Sequence, residues 1–205
     1  LTSISGYAET LLAERPDERT ERQFLETILG NARRMQRLVD DLLDLSRIES
    51  GRWRPEVAAI DVAETASEVW ADVADRAAEA GVAFSTEIGE GAATLLADPE
   101  GVRLVLRNLL DNAVRYTPPG GRVVLRSTDA EDGVALQVED TGSGIPQEHL
   151  SRVFERFYRV DPSRSRAEGG TGLGLAIVRH TVEAHGGRVG IESQMCSGTR
   201  VTCWF

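Results

Sequence analysis

The sequence predicts an α+β architecture: a helical hairpin over residues 1–50, its first helix truncated, followed by a two-layer α/β sandwich over residues 51–205. Three observations carry this. Residues 20–48 repeat apolar side chains at three- and four-residue spacings with charges between them, the pattern of a long amphipathic helix. Beyond residue 81, short alternating runs that read as strands are interleaved with helical stretches. Glycine or proline punctuates most of the junctions. Mixed, mainly antiparallel strands with helices between them indicate helices gathered on one face of a sheet.

In chain order, residues 1–14 are weakly helical, with Ile4, Tyr7, Ala8, Leu11 and Leu12 on one side. Arg15-Pro16-Asp17 breaks that pattern. The long helix then presents Phe24, Leu25, Ile28, Ala32, Met35, Leu38, Val39, Leu42, Leu45 and Ile48 on one stripe. So wide a stripe needs a partner, and an intermolecular bundle is favoured over a cap on the following domain. Ser50-Gly51 ends the helix. Residues 55–60 read as an edge strand because Pro55 sits in them. Asp61 caps a helix, with Glu64 completing a capping box, and Gly81 stops it. Residues 82–88 alternate as a strand, 90–93 form a loop and 94–97 a short strand. Asp98-Pro99 opens a helix that turns Val102, Leu106, Leu109, Leu110 and Ala113 inward. Pro118-Pro119-Gly120-Gly121 forces a loop. Residues 122–128 and 134–139 form a hairpin around Asp132-Gly133. Residues 161–168 are charged, lack apolar anchors and read as a mobile lid. A helix over 172–185, stopped by Gly186-Gly187, and strands over 189–192 and 200–205 close the chain.

Composition removes several functions. The chain has 205 residues, with 23 basic against 33 acidic and a net charge of −10, which argues against non-specific nucleic-acid binding. Every one of the basic residues is arginine. Without lysine there is no P-loop, no kinase strand lysine and no Schiff base. Any phosphate must be held by arginine, backbone N–H groups or a metal ion. The two cysteines, Cys196 and Cys203, make no disulfide framework. No run is long and apolar enough to span a bilayer. The chain opens on Leu1 inside a helical pattern, so a longer parent protein is expected, with any membrane anchor upstream.

Two glycine runs draw the chemistry together. Asp140-Thr141-Gly142-Ser143-Gly144-Ile145-Pro146 follows a strand. A carboxylate there can accept a hydrogen bond from an exocyclic amine such as that of adenine, and Gly142 and Gly144 leave bare backbone beside it. Gly170-Thr171-Gly172-Leu173-Gly174 opens a helix, where unpaired N–H groups suit phosphate. Asn108 and Asn112 lie one turn apart on one helix face, an unusual pair for a helix interior. Asn112 offers a neutral oxygen to Mg²⁺, Arg115 would face the same phosphates, and Tyr116 could flank the base. In Phe154-Glu155-Arg156-Phe157-Tyr158-Arg159 the aromatics read as core anchors. Arg159, with no packing role, reads as a ligand for the terminal phosphate.

These motifs resemble those of bacterial sensor histidine kinases. Asn108 to Thr117 is similar to their N box, Asp140 to Gly144 to the first glycine box, Phe154 to Arg159 to the F box, and Gly170 to Leu175 to the second glycine box. Val39 to Ser46 resembles the end of the family's dimerisation helix. The resemblance implies the ATP-binding sandwich shared with gyrase-type ATPases, Hsp90 and MutL. It also implies Mg-ATP as phosphoryl donor, a histidine as first acceptor and a response-regulator receiver domain as partner. It further implies a homodimer through the hairpin and a cytoplasmic location. The family's His-Glu-x-x-x-Thr-Pro H box is not in this sequence; the histidines are His149, His180 and His185. The expectation is a core that binds Mg-ATP and cannot phosphorylate itself. The alternatives are an ATPase of the gyrase, Hsp90 and MutL kind, for which Glu100 would be the water-activating glutamate, and an anti-sigma-factor serine kinase.

Overall fold

The computed structural model describes residues 2–13, 16–51, 53–131, 133–161 and 170–205. The predicted lid, Asp161 apart, lies outside the described residues, as does Asp132 of the predicted hairpin turn.

Asp17 starts the longest helix. Its carboxylate accepts the Thr20 amide and the Thr20 hydroxyl, each at 3.0 Å, and α2 runs Glu18–Glu49 from that cap. The first helix, α1 at Thr2–Ala13, lies against it, with the Tyr7 and Phe24 rings 4.7 Å apart. Among the described residues α1 buries no side chain and α2 buries only Leu45. Leu25, Leu29, Met35, Val39 and Leu42 stay exposed. The end of α2 therefore uses the sandwich as its partner; Phe24, Ile28 and Leu38 are half-buried, and much of the remaining stripe is exposed among the described residues.

Asp98 fixes the crossing into the sandwich. One carboxylate oxygen caps the next helix through the Gly101 amide at 2.7 Å, and the other accepts the Glu56 amide at 2.8 Å. The first strand, β1, is Ala58–Asp61, shorter than expected; Pro55 and its neighbours run outside the pairing. It pairs only with β3, Thr94–Ala97, as a separate antiparallel ribbon. Asp61 caps α3 (Val62–Ala80) through the Glu64 amide at 2.9 Å, and Gly81 ends it at φ 67°, where a Cβ would be strained. Then come β2 (Ala83–Ile88), α4 (Pro99–Tyr116), β4 (Arg122–Ala130), β5 (Gly133–Asp140), a short α5 (Gln147–Leu150), α6 (Gly174–Ala184), β6 (Arg188–Gln194) and β7 (Gly198–Trp204). The expected loop at residues 90–93 contains a single 3₁₀ turn, Glu90–Ala92.

The main sheet has the order β2-β4-β5-β7-β6. Its β2–β4 pair is parallel and the others antiparallel. A parallel pair needs a crossover, and β3 with α4 supplies it. Alternation divides the two faces. Val123, Leu125, Leu136, Val138, Val201 and Cys203 form one core with Val69 of α3, Leu106 and Leu110 of α4, and Val178 of α6. On the other face, ion pairs join Glu87, Arg126, Glu139, Arg200 and Glu192, one from each of the five strands. A face of alternating charge is stable in water, so the helices take the apolar side.

The core, not the charged ladder, should carry the stability. Leu110→Ala should cost about 2–5 kcal/mol by leaving a cavity under the sheet. Glu192→Ala, at the exposed rim of the ladder, should cost less than about 1 kcal/mol. Urea unfolding of both variants checks this; similar losses would assign the ladder a weight its exposure does not support.

Candidate functional site

Asp140 sits at the end of β5, on the apolar face of the sheet. One of its oxygens, Oδ1, accepts the Gly142 amide at 2.8 Å and the Thr199 amide at 3.2 Å. Its Oδ2 has no hydrogen bond among the described residues, and Asp140 lines a large cleft. Burial pushes the carboxyl above the ordinary Asp range, and the two amides only partly offset it. Main-chain groups thus hold one oxygen still while the other is left for a ligand.

The glycines beside it act differently from the expectation of a bare floor. A Cβ on Gly142 would come 2.5 Å from the Tyr116 carbonyl oxygen and 2.6 Å from Asp140 Oδ1. At Gly144, with φ 70°, it would meet the Gln194 carbonyl oxygen at 2.1 Å. The missing side chains make room for the protein's own backbone. Ser143 donates its amide to Tyr116 O at 3.1 Å, Cys196 donates to Ser143 O at 2.8 Å, and Ile145 donates to Ser193 Oγ at 2.8 Å. The loop after β5 is clamped between the end of α4 and the β6–β7 turn.

The two asparagines of α4 face the start of α6. Asn108 donates to Leu104 O at 2.8 Å, which leaves its Oδ1 only 2.8 Å from where a Cβ on Gly174 would stand. Asn112, one turn on, has no hydrogen-bond partner among the described residues and lines the cleft. Arg115 lines it too, but its guanidinium already donates to Asp111 at 2.6 Å and its side chain is 11% exposed. Arg115 thus lines the cleft beside Asn112 as an ion-paired guanidinium. Tyr116 stands exposed at the rim.

Across the cleft, Phe157 donates its amide to Gly172 O at 2.8 Å. It has φ 61° and is 55% exposed, so it is no core anchor; only Phe154 of the pair is half-buried. Gly172 takes φ 76°, and a Cβ there would press on the Phe157 backbone at 3.0 Å. Arg159, which the sequence left without a packing role, donates to the Gly170 carbonyl and so ties together the two sides of the predicted lid. The side chain of Leu173 does not line the cleft. It is fully buried against Leu45 and Ile177, and only its amide turns toward Thr171 Oγ1, at 3.3 Å.

The cleft has a volume of about 1080 Å³. It brings together Asn108, Asn112, Arg115, Tyr116, Asp140, Gly142, Gly144, Ile145, Arg159, Gly170, Thr171, Gly172 and Gly174, every predicted site residue except Leu173. It also takes in residues that sequence reasoning missed: Arg37, Asp40 and Asp41 of α2, and Met195, Cys196 and Thr199 around the β6–β7 turn. Asp40-Asp41 on the charged face of α2 was the available signal. Among the described residues no group of three or more His, Cys, Asp or Glu side chains could hold a metal ion. One end of the cleft thus offers a fixed carboxylate to a hydrogen-bond donor. The other offers a helix start and arginines to an anion, with the Asn112 side chain beside them.

Residues 97–205 match the family model described as histidine kinase-, DNA gyrase B- and HSP90-like ATPase, and residues 1–51 match the His Kinase A (phospho-acceptor) domain. The phosphate regulon sensor protein PhoR of Pseudomonas aeruginosa is 38% identical over 207 residues, covering 100% of this chain and 46% of PhoR. The Acinetobacter baumannii histidine kinase AdeS superposes with a TM-score of 0.79 at 25% identity, covering 98% of this chain and 92% of the other. Full-length ShkA in complex with AMPPNP gives 0.77 at 28% identity, covering 98% and 42%. The chain spans 46% of PhoR and 52% of the mycobacterial relative SenX3, about half of each. Among the described residues no helix is long and apolar enough to cross a membrane.

Asp140 should be detectable by its effect on stability. A carboxyl raised in the fold is held more readily in its protonated form there than in the unfolded chain. Its ionisation therefore costs stability as pH rises from about 3.8, the unfolded value, to the folded value, and the cost then stays constant. Asp140→Asn keeps the acceptor for Gly142 and Thr199 and removes that cost. The variant should gain on the parent between pH 4 and pH 7 in urea unfolding, a range set by the ordinary Asp value. A pH-independent gap would mean the carboxyl is not desolvated.

Proposed function

We propose, for a chain that belongs to the histidine kinase-, DNA gyrase B- and HSP90-like ATPase family, that the cleft binds Mg-ATP and serves a protein-histidine kinase of a two-component system. The observation that carries this is the Asp140 carboxylate, which lines the cleft with Oδ1 held by two main-chain amides and Oδ2 without a hydrogen bond among the described residues. Such an oxygen accepts from the adenine amine, and Tyr116 and Ile145 flank the base. The phosphates would lie toward Asn108, Asn112, Arg115, Arg159 and the Gly170–Gly174 turn, where α6 begins.

Asn112 fits a magnesium ion: it presents an unengaged neutral oxygen, and Mg²⁺ usually takes few protein ligands and keeps several waters. When bound, the ion would neutralise charge on the β- and γ-phosphates. Arg115, oriented by Asp111, and Arg159, anchored on Gly170, hold the polyphosphate in line. Transfer then forms a bond from an imidazole nitrogen to the γ-phosphorus and breaks the bond to the leaving ADP oxygen. Positioning and charge neutralisation do most of that work.

The acceptor is not among this chain's histidines. His149 shares a 2.5 Å hydrogen bond with Tyr158. His180 lies 3.1 Å from Glu49. His185 is held between the Asp98 amide and Thr181 O. The phosphoacceptor match of the hairpin and its exposed stripe support a homodimer through α1 and α2, an acceptor presented on such a hairpin, and relay to a response-regulator receiver domain. A cytoplasmic location accords with these partners, and no nucleic acid is involved. The hydrolytic reading has little support, because Glu100 pairs with Arg103 and lines a separate cleft between α2, α3 and α4.

Calorimetric titration with Mg-ATP tests the site. Asp140→Asn turns an amide donor toward the adenine amine and should lose roughly 10- to 100-fold in affinity, the scale of one charge-assisted hydrogen bond. Asn112→Ala should lose most of the magnesium dependence and less of the binding of free nucleotide. Unchanged behaviour in both would remove the cleft from nucleotide chemistry.

With γ-labelled ATP, the 205-residue chain should acquire no acid-labile, alkali-stable label. A helical hairpin carrying an H box, added in trans, should become labelled. Label mapped to His149, His180 or His185 would contradict the assignment of the acceptor to another hairpin.

A further inference from the structure

Helix α2 reaches the phosphate end of the cleft. Asp41 Oδ2 accepts the Thr171 hydroxyl at 2.6 Å, and the Thr171 oxygen accepts the Leu173 amide at 3.3 Å. Thr171 has one proton, and it is committed to α2. The Leu173 amide, one of the donors a phosphate would use at the start of α6, is committed to Thr171. Asp41 is half-buried and shares its surroundings with Asp44 and Asp111, against which Arg107 is the nearby cation. Further along α2, Leu45 packs on Leu173 and Ile177, and Glu49 pairs with Arg156 and His180.

We propose that Asp41 and the terminal phosphates of the nucleotide compete for the Thr171 hydroxyl, whose oxygen also accepts the Leu173 amide, so that docking of α2 lowers nucleotide affinity and nucleotide entry releases α2 from the glycine turn. This rests on the reading of the cleft as a nucleotide site. A desolvated carboxylate beside an arriving polyanion is a like-charge contact in a low-dielectric setting, where repulsion is weakly screened. One hydroxyl proton cannot serve both anions at full strength, and the Leu173 amide is free for a phosphate only when it leaves the Thr171 oxygen. The Leu45 and Glu49 contacts lie one and two turns beyond Asp41, so they persist when Asp41 lets go, and α2 is loosened at one point without leaving the domain. Linkage makes the effect reciprocal: whatever Asp41 does to nucleotide affinity, nucleotide does to the seating of α2. The pair thus couples the dimerisation hairpin to the occupancy of the catalytic cleft.

The test is titration of the 205-residue chain and two variants with magnesium and a non-hydrolysable ATP analogue, with melting curves to confirm folding. Asp41→Ala should bind roughly 5- to 50-fold more tightly than the parent, a span usual for coupling between sites. Asp41→Asn keeps the shape and an acceptor while removing the charge, and should fall between parent and Asp41→Ala. Hydrogen exchange over residues 38–44 should speed up when the analogue is added to the parent, and should already be fast in Asp41→Ala. Equal affinity in all three, or weaker binding by Asp41→Ala, overturns the competition and leaves the nucleotide site standing. A folded parent that binds no analogue overturns the nucleotide reading and this proposal with it.

Discussion

The position of the Asp140 carboxylate constrains most of the molecule. It ends the central strand β5, and its Oδ1 is taken by amides from its own loop and from β7. Both donors must approach closely, and that requirement spreads outward. Gly198 begins β7 because a Cβ there, at φ 105°, would stand 1.8 Å from the Asp140 carbonyl oxygen. Gly142 and Gly144 are bare so that the α4 terminus and the β6–β7 turn can close on the loop from either side. The register of β5 against β7 and the length of α4 are thereby linked to one side chain. Burial disfavours the charged form of that side chain, and the fold accommodates this cost at a position that lines the cleft.

The second organising contact is the seam between α2 and α6. Leu173 faces two ways: its side chain packs on Leu45, and its amide points at the glycine turn of the cleft. A movement of α2 that disturbs the apolar seam acts on the same residue that shapes the phosphate end. The rest of the α2 stripe, from Leu25 to Leu42, lacks such a seam within one chain. The helix is thus divided along its length into a segment whose apolar side chains are largely exposed and a segment that belongs to the sandwich.

Much of this was legible in the residues. The caps at Asp17, Asp61 and Asp98, the stop at Gly81 and the alternating strands follow local rules that need no tertiary information, and these elements form close to where those rules place them. The grouping of the two asparagines with both glycine runs was also legible, because periodicity puts Asn108 and Asn112 on one helix face and the resemblance to sensor histidine kinases joins that face to the glycine runs. Long-range facts were not. No spacing announces that Arg115 is neutralised by Asp111, that Phe157 turns outward, that Leu173 faces α2, or that Asp41 comes to Thr171 across 130 positions of sequence. The parallel β2–β4 pair was missed for a related reason: strand direction depends on the route of the crossover, which period-two alternation does not encode.

The electrostatics follow from a chain with no lysine and ten excess acidic charges. In and near the cleft several arginines have carboxylate neighbours: Arg115 and Arg76 share Asp111, Arg107 lies by Asp44, and Arg156 pairs with Glu49. A surface so balanced generates little long-range attraction for an anion. On the function proposed above, affinity for a polyphosphate comes from short-range, directional donors: the amides at the start of α6, the Asn112 side chain, and guanidinium edges held by Asp111 and by the Gly170 carbonyl. Donors of that kind discriminate by geometry more than by charge. They lose strength when the glycine turn shifts by a fraction of a hydrogen-bond length. That sensitivity makes a single carboxylate on α2, hydrogen-bonded to Thr171, an effective point from which the helix can act on the cleft.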